Sequence, residues 1–377
     1  DMHVEEIIWK LDSAKMDFRA LAAAQGVADF SSMNYYRDKV YSDLQGMDQL
    51  NPLVALKQCA EKLGRTTITG EEYARFRHAE AQAIRPYLIP IANGGFIMYD
   101  PQEDKIVLQE RLFTYLKAKS GKVDYDVLGI HSEVPGGYNN AVLNLLNFDL
   151  KIYGVSQIVL SDSQNVAIYP LRSQLILKKN RDFFFGGVVQ AGKFTYFGKD
   201  YYFDYDKFKI DINNGDSIMF TVSKFTPDAF GNYPDVKVKS VIEQVKGDIQ
   251  IDYPSNKSGR VSRAQYPIFT SAKESFVYYD RRSIQRGTYK RDKFYFKVDP
   301  YTIDSLDNFS TKGFKLQGQL TSAGIFPDFR DTLSVQPDYS LGFIRTTGPG
   351  GMAAYGGVGK FNNKIRLSNE GLRGEGD

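Results

Sequence analysis

The stretch FFFGGVVQAGKFTYFGKDYYFDYDKFKIDINNGDSIMF (residues 183–220) decides the class of the fold. Aromatic and branched side chains alternate in it with polar ones, and glycine or aspartate interrupts the alternation every few residues. Successive side chains of a strand point to opposite faces, so a period of two marks a strand with one buried face. The pattern extends outward in both directions. It is present upstream at QIVL (157–160) and VAIY (166–169), and downstream at DIQIDY (248–253), SFVYYD (275–280), KFYFKVD (293–299) and GFKLQGQL (313–320). Short strands at such regular spacing predict an all-β region over residues 121–377, built as a β-helix-like solenoid or as elongated antiparallel sheets. The pair Asn214-Gly215 is a tight-hairpin signal and argues that part of the pairing is antiparallel.

Upstream the pattern changes. NPLVALKQCAEKLG (51–64) carries an N-cap at Asn51, a proline at the first helical position and a stop at Gly64. Thr69 stands three residues before Glu72, the spacing of a capping box. A third helix covers AEAQAIRPYLIPIANGG (79–95), weakened by Pro86 and Pro90, and FIMYDPQEDKIVLQ (96–109) reads as two short strands around a polar turn. A last helix, ERLFTYLKAKSG (110–121), follows. Three helices and a hairpin in this order predict a winged-helix-like module over 31–120. Residues 1–30, where Ile7, Trp9 and Leu11 alternate, read as a strand region closing a preceding domain. The expected class is therefore α+β, mostly β.

Chain length, 377 residues, suits roughly two or three domains. The 48 basic and 45 acidic residues leave a net charge of +3, too small for a global attraction to nucleic acid or anionic lipid. Over residues 51–120 of the helical module ten basic residues face eight acidic ones, against the positive stripe that a groove reader needs, so no nucleic-acid partner is expected. Cys59 is the only cysteine, which excludes an internal disulfide and a thiolate cluster. No apolar run reaches the ~20 residues of a membrane-spanning helix. The chain opens at Asp1 within a patterned stretch and stops within NEGLRGEGD (369–377), so it is expected to be a piece of a longer protein.

Sites of chemistry are sparse. The three histidines, His3, His78 and His131, are not at metal-ligand spacing, and no GxSxG or HExxH occurs. Neither GPGGM (348–352) nor AYGGVGK (354–360) has phosphate-loop spacing; both read as turns. DINNGD (211–216) echoes half a calcium loop, but Val222 stands where the bidentate Glu belongs, so an Asx-type turn is expected. The D-x-D pairs Asp124/Asp126 and Asp204/Asp206 would share a strand face, a weak echo of two-carboxylate hydrolysis. No cofactor, metal or catalytic residue is nominated.

The strongest local signal is YYDRRSIQRGTYKRDKFYFKVDPY (278–301). Arg281, Arg282, Arg286, Lys290, Arg291, Lys293 and Lys297 are interleaved with Tyr289, Phe294 and Tyr295. Cations among flat rings suit an acidic polysaccharide: the charges hold acid groups and the rings stack on sugars. Alternation puts Phe294 and Phe296 on one face and Lys293, Tyr295 and Lys297 on the other. The candidate ligand-binding residues are Arg281, Arg282, Arg286, Tyr289, Arg291, Lys293, Tyr295 and Lys297. The same residues also read as a solvated strand face whose lysines discourage edge pairing.

Several segments, among them IVLSDSQNVAIYP (158–170), LILKKNRDFFFGG (175–187), YPIFTSAKESFVYYDRRSI (266–284) and LSNEGLRGEGD (367–377), resemble stretches of large, uncharacterised, β-repeat-rich envelope proteins of Bacteroidota. The resemblance implies an envelope or surface location and other envelope proteins as partners, and it brings no functional residues. A structural or adhesive binding module is the expected role; a polysaccharide-acting enzyme and a winged-helix nucleic-acid binder are the alternatives. Three or more carboxylates gathered in one groove would favour the enzyme.

Overall fold

The computed structural model describes residues 2–21, 26–32, 36–46 and 49–376. The chain is mostly β, 41% strand against 16% helix. It divides into two compact units, one of residues 1–32, 128–253 and 259–377, the other of residues 33–127 and 254–258. The helical unit is thus an insertion in the chain of the β unit.

The β unit contains an extended antiparallel sheet. Its strands include β1 (Glu6–Trp9), β2 (Lys15–Arg19), β3 (Ala141–Asn144), β4 (Leu150–Tyr153), β5 (Gln174–Leu177), β6 (Phe183–Ala191), β7 (Phe194–Asp204), β8 (Lys209–Ser223) and β9 (Ile242–Gln250), then β10 (Ser275–Tyr278), β11 (Phe294–Val298) and β12 (Leu316–Ser322). Each strand of this series is bonded to the next in spatial order, from β1–β2–β3–β4–β5 through β6, β7, β8 and β9 to β10, β11 and β12. The ladder is open: β1 pairs only with β2 at one end, and Gly371–Glu375 pairs only with Lys364–Ser368 at the other, among the described residues. All pairings in the series are antiparallel, so of the two expected forms the sheet takes the elongated antiparallel one. A solenoid of parallel rungs needs long crossovers, whereas β6 and β7 are joined by Gly192 and Lys193 alone.

The N-terminal strands do not close a separate domain. Phe18 lies opposite Ala141 in the β2–β3 pair, which binds this segment into the same sheet. Beside it, Val27–Ser31 pairs with Gly129–Glu133 across the insertion, and the chain closes there: Ser32 N–H donates to Leu128 C=O at 2.9 Å and Leu128 N–H to Ser32 Oγ at 2.9 Å.

The aromatic alternation is the core. Phe183, Phe194, Tyr196, Tyr201, Phe203 and Phe220 are all at most 2% exposed. Cross-strand partners stack: Phe183 against Phe203 at 4.8 Å and Phe194 against Phe220 at 5.0 Å. Each ring withdrawn from water contributes about 2 kcal/mol, and paired rings add to that. Asn214-Gly215 makes no hairpin. It lies inside β8, where the register with β7 and β9 slips. A Cβ on Gly215 would stand 2.8 Å from Val245 O, so the glycine serves a bulge held between two long partners.

In the helical unit α1 (Asp38–Gln45), α2 (Pro52–Leu63), α3 (Gly70–Arg77), α4 (Ala81–Asn93) and α5 (Glu110–Lys119) enclose Leu53, Leu56, Ile68, Leu88, Ile106 and Leu112, all fully buried. Thr67–Thr69 pairs with Lys105–Leu108, which pairs with Ile97–Asp100. Helix, strand, two helices and two paired strands follow one another here from α2 to Lys105–Leu108, the order expected of a winged-helix-like module. The expected caps form: Asn51 Oδ1 accepts Leu53 N–H at 2.9 Å, Gly64 turns left-handed at φ 65°, and Thr69 and Glu72 complete the capping box. Pro86 and Pro90 both sit within α4.

Candidate binding surface

β10 and β11 carry the basic-aromatic segment, and their alternation sorts it. Val277, Phe294, Phe296 and Val298 point inward and are fully buried. Phe276, Tyr278, Tyr295 and Lys297 are half-buried on the outer face. Register sets Tyr278 beside Tyr295 and Phe276 beside Lys297. The three outer rings cluster into an aromatic platform in which Phe276 and Tyr278 lie nearly parallel at 16° with centroids 5.8 Å apart, and Tyr295 is turned across them at 69° and 57°, its centroid 5.8 Å from Phe276 and 6.2 Å from Tyr278.

Arg291 closes one side of this platform. Its guanidinium lies 3.7 Å from the Tyr278 ring centroid, within cation–π range. It is paired with Asp280 at 3.1 Å and with Glu243 of β9, which faces Phe276. Burial works against its charge, yet the hydrogen bonds to Glu243 and Asp280 prevail and raise its pKa. Burial raises the Tyr278 hydroxyl too, with Glu243 and Asp280 adding to the shift and Arg291 opposing it. Gln244 donates from Nε2 to Tyr278 Oη at 3.1 Å and holds a left-handed backbone at φ 61°.

The other candidates disperse. Lys297 is 3.9 Å from Glu274. Arg281 donates to Lys239 C=O at 2.8 Å, away from the platform's ring contacts. Arg282, Arg286 and Lys293 are exposed and make no ion pair among the described residues. Tyr289 stacks on Phe294 at 4.0 Å, and its hydroxyl accepts Leu372 N–H at 2.9 Å. One of its faces is therefore covered, and Tyr295 is the ring of the pair that belongs to the platform. Seven neighbouring cations are tolerated because Glu243, Asp280 and Glu274 neutralise some of them and the rest spread over turns.

Beside Arg291 a groove of about 520 Å³ is lined by Asp216, Glu243, Glu274, Lys246, Lys273 and Arg291. It sits at the bulge where β8 and β9 lose register. Three carboxylates do gather here, and three cations with them, so the lining is formally neutral.

The remaining motifs take structural places. DINNGD lies within β8, with Asp211 held by Lys209 at 2.6 Å, and is neither an Asx turn nor a cation loop. Asp204 ends β7: burial would raise its pKa, but the hydrogen bonds from Lys207 outweigh that and lower it. Asp124 accepts Ser258 N–H at 2.7 Å and Oγ at 2.6 Å in an irregular segment. Neither D-x-D pair presents two carboxylates on one strand face. Gly356 and Gly357 supply positive φ to a turn between Met352–Ala354 and Gly359–Phe361. His131 Nδ1 is 2.8 Å from Asp29 Oδ1. Among the described residues no three carboxylate, imidazole or thiol side chains, those of the groove included, are placed so that they could hold a metal ion.

At the position of a recognition helix, α4 offers a single cation, Arg85, and Asp104 lies 3.7 Å from it. Among the described residues no helix is long and apolar enough to cross a membrane, which says nothing of strands. Sequence reasoning missed Glu243 and Phe276, which join the site only through strand pairing.

Comparison of the chain with protein-family models, with curated proteins and with solved structures finds no match, so the geometry stands by itself.

Proposed function

We propose that the β unit is a structural or adhesive module of a larger envelope-associated protein, and that the outer face of β10–β11 takes acidic polysaccharide. The observation that carries the reading is the platform of Phe276, Tyr278 and Tyr295 beside Arg291 and Lys297. Flat rings stack on the apolar faces of sugars, and acid groups of the polymer exchange with Glu243, Asp280 and Glu274 as partners of the flanking cations. The envelope location rests on sequence resemblance; fractionation of cells carrying the full-length parent tests it, and recovery in the cytosol refutes it. For the ligand, affinity electrophoresis through polygalacturonate at about 50 mM salt should retard the chain. Raising salt to about 200 mM should release it, because exposed charges are screened within about 10 Å. Tyr278→Ala and Tyr295→Ala should each weaken retention, and unchanged retention in both would refute the platform.

A second reading, a polysaccharide-cleaving enzyme, is favoured by one observation: Asp216, Glu243 and Glu274 share a groove. Against it, Glu243 and Glu274 are already engaged by Arg291 and Lys297. Release of reducing ends from a panel of polysaccharides, abolished by Asp216→Asn, would replace the adhesive reading with the enzymatic one.

A further inference from the structure

A second depression lies on the β unit, about 380 Å³ in volume, formed where Asp235–Lys237 and the chain after it meet the turn following β10 and the turn before Gly371. Its polar lining is Lys237, Lys239, Arg281, Ser283 and Asn369. Three of these are cations, and no carboxylate lines the depression among the described residues. Lys237 and Lys239 are exposed and make no ion pair among those residues. Arg281 is fixed at the rim by donating one N–H to Lys239 C=O, which leaves other guanidinium donors for a ligand. Asn369 Oδ1 accepts from Ser240 Oγ at 3.4 Å, and no hydrogen bond from its amide N–H groups is found among the described residues. The depression therefore presents donors and positive charge. That contrasts with the charge-balanced groove beside Arg291.

We propose that this depression is an oxyanion-binding subsite, taking a carboxylate or sulfate group of the polysaccharide bound by the β unit. The inference rests on the reading given above and adds residues that the cation-rich segment alone does not contain. A planar guanidinium with two ammonium groups around one pocket suits an oxyanion, because charge-assisted hydrogen bonds are about twice as strong as neutral ones.

The test uses the whole chain and three probes: polygalacturonate for carboxylate, dextran sulfate for sulfate, and dextran as the neutral control. The double variant Lys237→Glu/Lys239→Glu should weaken both acidic polymers about tenfold at about 50 mM salt, as loss of paired charge contacts does. The double variant Lys312→Glu/Lys315→Glu, on exposed lysines elsewhere in the unit, makes the same change in net charge and should cost less than about threefold. Arg281→Lys should lose less than Arg281→Glu. Loss for one acidic polymer alone identifies the acid group and upholds the site. Equal losses in the two double variants, or no loss in the first, overturn it. Binding that survives the Lys237/Lys239 change but not Tyr295→Ala sinks the subsite and leaves the platform. Binding indifferent to Tyr278→Ala and Tyr295→Ala but lost with Lys237 and Lys239 does the reverse. A chain that binds no acidic polymer refutes both.

Discussion

Two tyrosines in the β unit should respond in opposite directions to the same change. Tyr196 is 1% exposed, and its hydroxyl has no hydrogen-bond partner among the described residues. Burial drives its pKa well above the usual value of 10.0. Tyr279 is 0% exposed, but its hydroxyl donates to Leu341 C=O at 3.0 Å. A buried, unsatisfied hydroxyl costs about 1–3 kcal/mol of desolvation. Removing it leaves a void of roughly 15 Å³, which returns only ~0.4 kcal/mol of penalty. The ring keeps its contact with Phe269 at 5.2 Å. Tyr196→Phe should therefore stabilise the unit by about 1 kcal/mol, raising its melting temperature by about 2 °C. Tyr279→Phe strands the Leu341 carbonyl and should cost about 1 kcal/mol. Urea titration of the 377-residue chain carrying each substitution, followed by far-UV circular dichroism and near-UV absorbance, reads both as shifts in midpoint at constant slope. If Tyr196→Phe lowers the midpoint, its hydroxyl is bonded and the reasoning fails; shifts of the same sign in both variants refute it as well.

Three further outcomes are expected. Phe203→Ala removes a fully buried ring that contacts Phe183, Tyr205 and Phe208 and should cost about 3–5 kcal/mol, measured by the same titration. Gly187→Ala should cost about 2 kcal/mol or more in that titration, since Gly187 sits at φ 134° and a Cβ would stand 2.2 Å from Tyr169 O. The Glu72 carboxyl is held below its ordinary value of 4.5, first by the hydrogen bond from Thr69 N–H, with Arg65 assisting against the opposing effect of burial. A lowered folded-state pKa gives stability that is present above the unfolded value and is lost as pH falls through the folded one. Thermal melts of the helical unit should therefore weaken below about pH 4.5, and Glu72→Gln should flatten that acid limb.

Local rules made much of this fold legible. Asn51, Gly64 and the Thr69/Glu72 pair act within a few residues of themselves, so their sequence signals are complete. The alternation of Phe294 and Phe296 with Tyr295 and Lys297 likewise depends on strand geometry alone. Non-local pairing was illegible. Nothing near Phe18 announces Ala141 as its partner, so the N-terminal strands read as a separate domain. Asn214-Gly215 has hairpin chemistry, but whether it turns or bulges depends on Val245, thirty residues away. The site divides in the same way. Arg281 and Arg291 stood out in the sequence, whereas Glu243 acquires meaning only once β9 is laid beside Arg291, and the Lys237/Lys239 pair only once its segment meets Arg281.

The closure at Ser32 and Leu128 also bears on the order of folding. Pairing Val27–Ser31 with Gly129–Glu133 requires the chain to close a loop over residues 33–127. Each doubling of a flexible loop costs about 0.6 kcal/mol, so an unstructured insert of that length adds about 2 kcal/mol over a short turn. A helical unit that folds first removes much of this penalty by shortening the effective path between the two strands. Its contacts are local, and local contacts form early. The helical insert would then act as a kinetic gate on the sheet. Destabilising it, for instance with Leu56→Ala at a fully buried position, should slow sheet formation in stopped-flow refolding, although Leu56 belongs to the other unit. An unchanged refolding rate for the β signal would show that the strands find each other without waiting for it.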